Sequence, residues 1–133
     1  MSIAIASSVQ GPVALSNMPV GVVSVAIPAA SAGVTGKWLI FGKVVIQLAA
    51  AGPIPNPTEV DIQLTLPGPQ VLDFSRVLMP PFSNAISQSF SLQGTLSSSS
   101  SVEVVLFCNA GVSATAQFAR LVAISVDQLE LAH

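Results

Sequence analysis

The sequence predicts an all-β domain built as a two-sheet antiparallel sandwich. Short runs of β-branched and aliphatic residues recur along the chain, separated by Gly, Pro, Ser and Asn, which is typical of sandwiches and barrels. Several runs alternate polar and apolar residues, the period of a half-buried strand. No stretch places apolar residues at helical spacing. The length of 133 residues is that of one domain, so we expect a single domain spanning 1–133.

The N-terminal segment is predicted to form strands. Ile3–Ile27 reads as two or three strands broken by Gly11-Pro12 and Asn17–Pro19. Residues 1–36 carry no charged side chain, yet they lack the basic start and the continuous apolar stretch of a signal peptide. No apolar window reaches the roughly 18 residues of a membrane span, so we expect no membrane insertion.

Two segments alternate regularly between apolar and polar side chains. In Glu59–Leu66 every second residue from Val60 onward is aliphatic, and the residues between them are polar. Phe90–Ser97 alternates in the same way, with Phe90 and Leu92 opposed by Ser91. Both segments are predicted to be half-buried strands of an outer, solvated sheet.

Three further segments, 38–48, 102–108 and 118–126, are apolar on both faces. In Trp38–Leu48 one face is wholly apolar, and the other carries Leu39 and Phe41 beside two polar residues. A two-layer protein offers one core face to each strand, so the second apolar face must meet a loop or another subunit. These segments therefore predict an oligomer.

The connections are marked by proline, glycine and serine. We expect a rigid loop at Gly52–Pro57, a tight break at Pro67–Pro69, and a long connection over 67–85 that contains Met79–Phe82. The five consecutive serines at Ser97–Ser101 are predicted to form a hairpin turn. After Val126 the apolar residues change parity, which predicts a bulge or strand end near Asp127-Gln128.

Charge is scarce and excludes several classes of partner. Charged residues make up 8% of the chain and the formal net charge is −2. The permanent cations are Lys37, Lys43, Arg76 and Arg120. Four scattered cations do not provide the phosphate-neutralising surface that nucleic-acid binding requires. A surface so poor in charge also favours burial against other subunits.

Catalytic chemistry is sparse, and we predict that the chain is not an enzyme. The single histidine, His133, ends the sequence, so no Ser-His-Asp or Cys-His arrangement on a stable element is expected. Cys108 lies in an apolar run and is predicted to be a buried thiol. Glu59 and Asp61 share one strand face, where a solvated surface explains them more simply than a hydrolase pair does. No cofactor or metal site is predicted.

A weak candidate for ligand contact combines three residues. Asp73 and Arg76 lie close together in the predicted 67–85 connection and are expected to form an ion pair. Trp38 is the only tryptophan. Arg and Trp dominate recognition hot spots, so we predict that a ligand would contact Trp38, Asp73 and Arg76.

The order of the elements resembles a known family. Gly36–Phe41 opens a long strand after a glycine-containing turn, and Phe90–Leu96 reads Phe-Ser-Leu-Gln-Gly-Thr-Leu. Val102–Leu106 and Phe118–Ile124 follow. Over about residues 34–126 this resembles the tumour-necrosis-factor and complement-head jelly roll, particularly its bacterial and phage versions.

The resemblance implies a ten-stranded jelly-roll sandwich that forms a compact homotrimer. It places the three doubly apolar strands in the inner sheet, around the three-fold axis. By the same resemblance, the candidate trimer contacts are Leu39, Phe41, Phe107 and Leu121. The chain departs from the family in having no tyrosine and no evident calcium-binding acidic loop.

Two functional hypotheses follow. The first is a non-catalytic structural or recognition module, a homotrimer on a virion, spore or bacterial surface or in a secreted complex. Its partner is a second copy of itself or another surface protein. The alternative is a lectin-like module that binds a carbohydrate, since jelly rolls often carry ligands at their loops. Both hypotheses favour a virion or an extracellular surface as the location.

Overall fold

The computed structural model describes residues 3–31, 36–50, 52–67 and 70–126. Within these ranges the chain forms nine β-strands and no helix. The strands are β1 Ala4–Val9, β2 Val13–Leu15, β3 Val20–Ile27, β4 Lys37–Ala49, β5 Thr58–Leu66, β6 Gln70–Met79, β7 Ala85–Ser97, β8 Val102–Ala110 and β9 Ala114–Ser125.

The strands form two antiparallel sheets. The first sheet has the order β1-β9-β4-β7, with β2 also paired to β9, and the second has the order β3-β8-β5-β6. Apart from β1–β2 and β5–β6, each strand lies in the opposite sheet from the one before it. A five-stranded and a four-stranded antiparallel layer linked by repeated crossings constitute a jelly roll, so the predicted fold class is confirmed.

The N-terminal strands follow the prediction from the sequence. β1 pairs with residues 119–124 of β9, and β2 pairs with residues 114–116 of the same strand. Gly11-Pro12 separates them, because proline lacks the N–H that a continuous ladder requires. β1 and β2 thus act as one interrupted edge of the first sheet.

The core lies between the sheets and is formed by the predicted alternation. On β4 the even-numbered residues from Trp38 to Leu48 point inward, and Trp38, Ile40, Ile46 and Leu48 have no exposed surface. Val60, Ile62 and Leu64 of β5 meet them from the second sheet, together with Val104, Leu106 and Cys108 of β8.

The assignment of strands to sheets differs from the expectation. The doubly apolar segments do not share one inner sheet, because 38–48 and 118–126 lie in the first sheet and 102–108 lies in the second. The two alternating segments also lie in different sheets, 59–66 in the second and 90–97 in the first. Asp61 and Thr65 on β5 are only 8% and 6% exposed, because β5 is flanked by β6 and β8 rather than open to solvent.

Two predicted connections are wrong. Ser97–Ser101 is not a hairpin turn, because it joins β7 of the first sheet to β8 of the second. The expected 67–85 connection contains β6, an edge strand paired only with β5. A register shift opposite Leu64-Thr65 disturbs the alternation in β6, and the flanking prolines obscured it further. The bulge predicted near Asp127-Gln128 lies outside the described residues.

Gly36 fixes the approach of the chain to β4. Its φ is 83°, in the left-handed region that favours glycine. The Ser98 N–H donates to the Gly36 carbonyl at 2.8 Å, and a Cβ on Gly36 would collide with the Ser98 carbonyl oxygen. Only glycine therefore permits this contact between the start of β4 and the serine-rich crossing.

Candidate functional site

A β-bulge in β9 shapes the outer surface of the first sheet. Lys43 faces Arg120, but Val45 faces Gln117, so β9 carries one additional residue between them. Phe118 lies in this bulge with φ of 52°, and its side chain is turned outward with 57% exposure. A bulky residue at positive φ is unusual, and the surrounding ladder must hold it there.

The outer surface of the first sheet is basic and apolar. We call it the basic face and define it by Leu39, Phe41, Lys43, Arg120, Val122 and Ile124, which are neighbours across β4 and β9. Lys37 lies on the same side by alternation along β4. Phe41 is 40% exposed, and Leu39, Val122 and Ile124 are half-buried, so this surface is not covered within the single chain.

Two like charges stand directly opposite each other on this face. Lys43 and Arg120 are register partners, a relation that places Cβ atoms about 4.5–5.5 Å apart and destabilises like charges. Among the described residues neither takes part in an ion pair. Lys43 and Arg120 therefore have no ion-pair partner within the described part of the chain.

A cleft of about 570 Å³ lies beside these cations. Asp73 reaches its rim from β6, where its carboxylate accepts hydrogen bonds from the Phe74 N–H at 2.9 Å and the Gln93 N–H at 3.0 Å. Asp73 thus caps one N–H at the edge of β7. It does not pair with Arg76 as the sequence predicted.

The outer surface of the second sheet carries most of the acids within the described ranges. We call it the acidic face and define it by Glu59, Asp61, Phe74, Arg76, Glu103 and Phe107. At its centre the Arg76 guanidinium pairs with Asp61 at 2.8 Å and Glu59 at 3.2 Å. The pairing arises because Arg76 and Asp61 are register partners on β6 and β5.

The ion pair controls the titration of Asp61. The hydrogen bond from Arg76 holds the pKa of Asp61 below its ordinary value, although burial opposes this shift. Asn109 also donates to Asp61, at 3.4 Å. A general acid at neutral pH needs a raised pKa, so this arrangement favours a structural role for Glu59 and Asp61 over the hydrolase reading.

Apolar side chains surround this polar centre. Val71, Phe74 and Leu78 are 48%, 46% and 64% exposed, and Phe107 is half-buried. The Arg76 guanidinium lies 5.4 Å from the centre of the Phe74 ring, within range of a cation–π interaction. The acidic face is thus a second uncovered apolar surface, on the opposite side of the sandwich.

The structure separates the residues that the sequence proposed for contacts. Leu39 and Phe41 lie on the basic face and Phe107 lies on the acidic face. Leu121 is fully buried between the sheets, so its side chain does not reach a partner's surface. The sequence missed Phe74, Leu78 and Phe118, because β6 and the β9 bulge were not recognised.

The proposed ligand contacts are also not brought together. Trp38 is fully buried, and its indole N–H has no hydrogen-bond partner. It therefore offers no surface to a ligand, and the lectin-like hypothesis loses its aromatic residue. Asp73 lies at the rim of the cleft on the basic face, whereas Arg76 belongs to the acidic face.

The remaining reactive groups are few. Cys108 is a free, buried thiol, as predicted, and burial raises its pKa to about 12. In the described ranges no three His, Cys, Asp or Glu side chains cluster as metal ligands. No helix there is long and apolar enough to cross a membrane.

No protein-family model and no curated protein sequence matches the chain. Solved structures match it in shape. A point mutant of the VP2 protein of infectious bursal disease virus, in derived T=1 particles, superposes on 93% of this chain with a TM-score of 0.57 and 9% identity. The VP2 subviral particle of the same virus covers 94% with a TM-score of 0.54 and 11% identity.

This chain shares a fold with VP2. At such low identity the likeness concerns the fold alone. The chain spans 32% of the length of each of these VP2 chains, so it corresponds to about one third of the viral protein.

Proposed function

We propose that the chain is a non-catalytic structural module that associates with copies of itself, as a building block of a protein shell such as a virion. The observation that carries the proposal is the pair of uncovered apolar surfaces. Phe41 on one face and Phe74 on the other are each at least 40% exposed, although the core is otherwise well filled. Large exposed apolar patches are rare on monomers and mark interaction surfaces.

The comparisons support a shell component. The two VP2 structures are of T=1 particles and of a subviral particle, and the fold of this chain occurs within that protein. Since the chain corresponds to about a third of VP2, its role as a complete shell component is part of the proposal. The resemblance to the tumour-necrosis-factor and complement-head jelly roll favours a trimer as the first closed assembly.

The composition supports the same conclusion. With charged residues at 8%, the surface has little charge with which to oppose association. A standard interface removes roughly 800 Å² from each partner.

Native mass spectrometry and sedimentation velocity of the full chain at micromolar concentration test the proposal. We expect a closed oligomer, and a trimer as the main species. Phe41→Gln and Phe107→Gln should each shift the distribution toward monomer. Met18→Gln is the matched control, because Met18 is 69% exposed but lies in the loop before β3. A strict monomer at these concentrations would contradict the proposal.

A further inference from the structure

The charges of the described residues are divided between the two sides of the sandwich. The basic face carries Lys43 and Arg120, Lys37 lies on the same side, and no acid lies among them. The acidic face carries Glu59, Asp61 and Glu103 with one cation, Arg76. Asp73 is the exception, at the border between the sheets. A single chain thus presents opposite charge on opposite faces.

From this division we infer that the occupant of the basic face is the acidic face of a second copy of this chain. This inference rests on the self-association proposed above and adds which two surfaces meet. Two basic faces brought together would oppose Lys43 and Arg120 with the same cations. Two acidic faces would bring together surfaces that each carry three carboxylates and one cation. Of the three pairings of faces, the contact between unlike faces is the one that brings the carboxylates of the acidic face to Lys43 and Arg120.

The apolar residues fit the same contact. On the basic face Phe41 and Leu39 lie in the rows next to Lys43. On the acidic face Phe107, Gln63 and Phe74 form one row across β8, β5 and β6. Each face therefore combines exposed aromatic rings with charge of one sign, the anchor-and-charge composition that gives interfaces both affinity and register.

A contact between two different surfaces has a consequence for assembly. It is heterologous, so every open assembly keeps one free basic face at one end and one free acidic face at the other. A contact between identical surfaces stops at a dimer. Because the two faces lie on opposite sides of the sandwich, successive contacts add copies in one direction, so this contact accounts for association beyond a dimer without any further partner.

Two charge-reversal variants test the geometry. The basic-face variant carries Lys43→Glu and Arg120→Glu. The acidic-face variant carries Gln63→Lys and Glu103→Lys, at two outward positions of the second sheet. All four positions are outward-facing, so circular dichroism and thermal unfolding should show folded chains in both cases. Met18→Gln again serves as the control.

We expect each variant alone to associate at least tenfold more weakly than the unmodified chain. An equimolar mixture should recover association, because the intact acidic face of the first variant fits the intact basic face of the second. The reversed faces also complement each other. Native mass spectrometry separates the two chains by mass, and the recovered species should contain both.

Each alternative result identifies what is wrong. If the unmodified chain is monomeric, the proposed function fails, and this contact fails with it. If the unmodified chain assembles but the acidic-face variant alone assembles equally well, association uses like faces and the inferred geometry is overturned. If neither variant weakens association, the interface lies elsewhere, and self-association stands without this contact.

Discussion

Gly36 is the residue at which the backbone tolerates least change. Its positive φ and its contact with the Ser98 carbonyl oxygen both exclude a Cβ. We predict that Gly36→Ala lowers the free energy of unfolding by about 1–3 kcal/mol, the usual cost of such strain. Chemical denaturation followed by Trp38 fluorescence measures the change.

Gly11→Ala is the matched control for Gly36. Nothing lies within 4 Å of a Cβ at Gly11, so the substitution should be neutral or stabilise by up to about 1 kcal/mol through the unfolded state. Equal losses in the two variants would show that the turn at Gly36 is not constrained as described.

Asp61 gives stability a defined dependence on pH. Because Arg76 lowers the pKa of folded Asp61, the native state favours the ionised carboxylate. The resulting stability is present above the ordinary pKa of 3.8 and is lost as the pH falls through the lower folded pKa. We predict that Asp61→Asn is less stable than the unmodified chain at pH 7, and that the difference shrinks below pH 3.8.

The cause of this dependence can be isolated. In an Arg76→Gln background the ion pair is already absent, so the additional change Asp61→Asn should alter stability much less at pH 7. Thermal unfolding of the four chains of this cycle gives the coupling. Additive effects would mean that Arg76 is not the group that stabilises the Asp61 carboxylate.

The ion pair also shows which features of single residues can be predicted from the sequence and which cannot. The outward orientation of Glu59 and Asp61 followed from alternation along one strand. Their partner did not, because β6 was expected to be part of a connection, and alternation along β5 does not specify which strand pairs with it. Arg76 was therefore assigned to Asp73, its nearest acid in sequence, rather than to the acids opposite it in the sheet.

At the scale of elements, the bulge in β9 is the main irregularity. Phe118 adopts φ of 52°, which costs an L-residue about 1–2 kcal/mol and a glycine little. We predict that Phe118→Gly is more stable than Phe118→Ala, by about 0.5–1 kcal/mol, since both remove the ring and only alanine keeps the strain. Urea unfolding of a monomeric background measures the difference.

Val122 provides the opposite case on the same strand. It lies in regular ladder with β4 and β1, where glycine is less favourable than alanine by about 0.5–1 kcal/mol. Val122→Ala should therefore be more stable than Val122→Gly. If the alanine variant is more stable than the glycine variant at both positions, Phe118 is not held in the left-handed region.

The positions of the strands were easier to predict than their pairing. β4, β5, β7, β8 and β9 were visible because inward side chains repeat every second residue. Sheet membership was not visible, because each sheet is assembled from strands distant in sequence. The strands on either side of Ser97–Ser101 were expected to pair as a hairpin, whereas in this jelly roll most consecutive strands lie in different layers.

At the scale of the whole molecule, the uncovered faces were predictable and their arrangement was not. The second apolar side of 38–48 and 102–108 indicated subunit contact from the sequence alone. Because 38–48 and 102–108 lie in opposite sheets, those sides point away from each other. The sequence predicted one contact surface on an inner sheet, but the structure has two outer surfaces, one on each sheet. Their opposite charge depends on which strands lie in which sheet, so it was not predictable from the sequence.

Added salt should weaken association if the two meeting faces carry unlike charge and strengthen it if they carry like charge. Added NaCl screens charges, with a screening length of about 10 Å at 0.1 M and about 3 Å at 1 M. If unlike faces meet, we predict that the dissociation constant of the unmodified chain rises several-fold between about 50 mM and about 500 mM NaCl. Analytical ultracentrifugation at each salt concentration measures it.

For the basic-face variant we expect NaCl to have the opposite effect on association. With Lys43→Glu and Arg120→Glu, an acidic surface meets the acidic face of the next copy, so screening relieves repulsion and the weak residual association should strengthen with NaCl. Thermal unfolding of the monomeric acidic-face variant over the same range separates effects on folding from effects on association. An unmodified chain whose association is insensitive to salt would show that apolar contacts alone hold the copies together, and that Lys43 and Arg120 lie outside the interface.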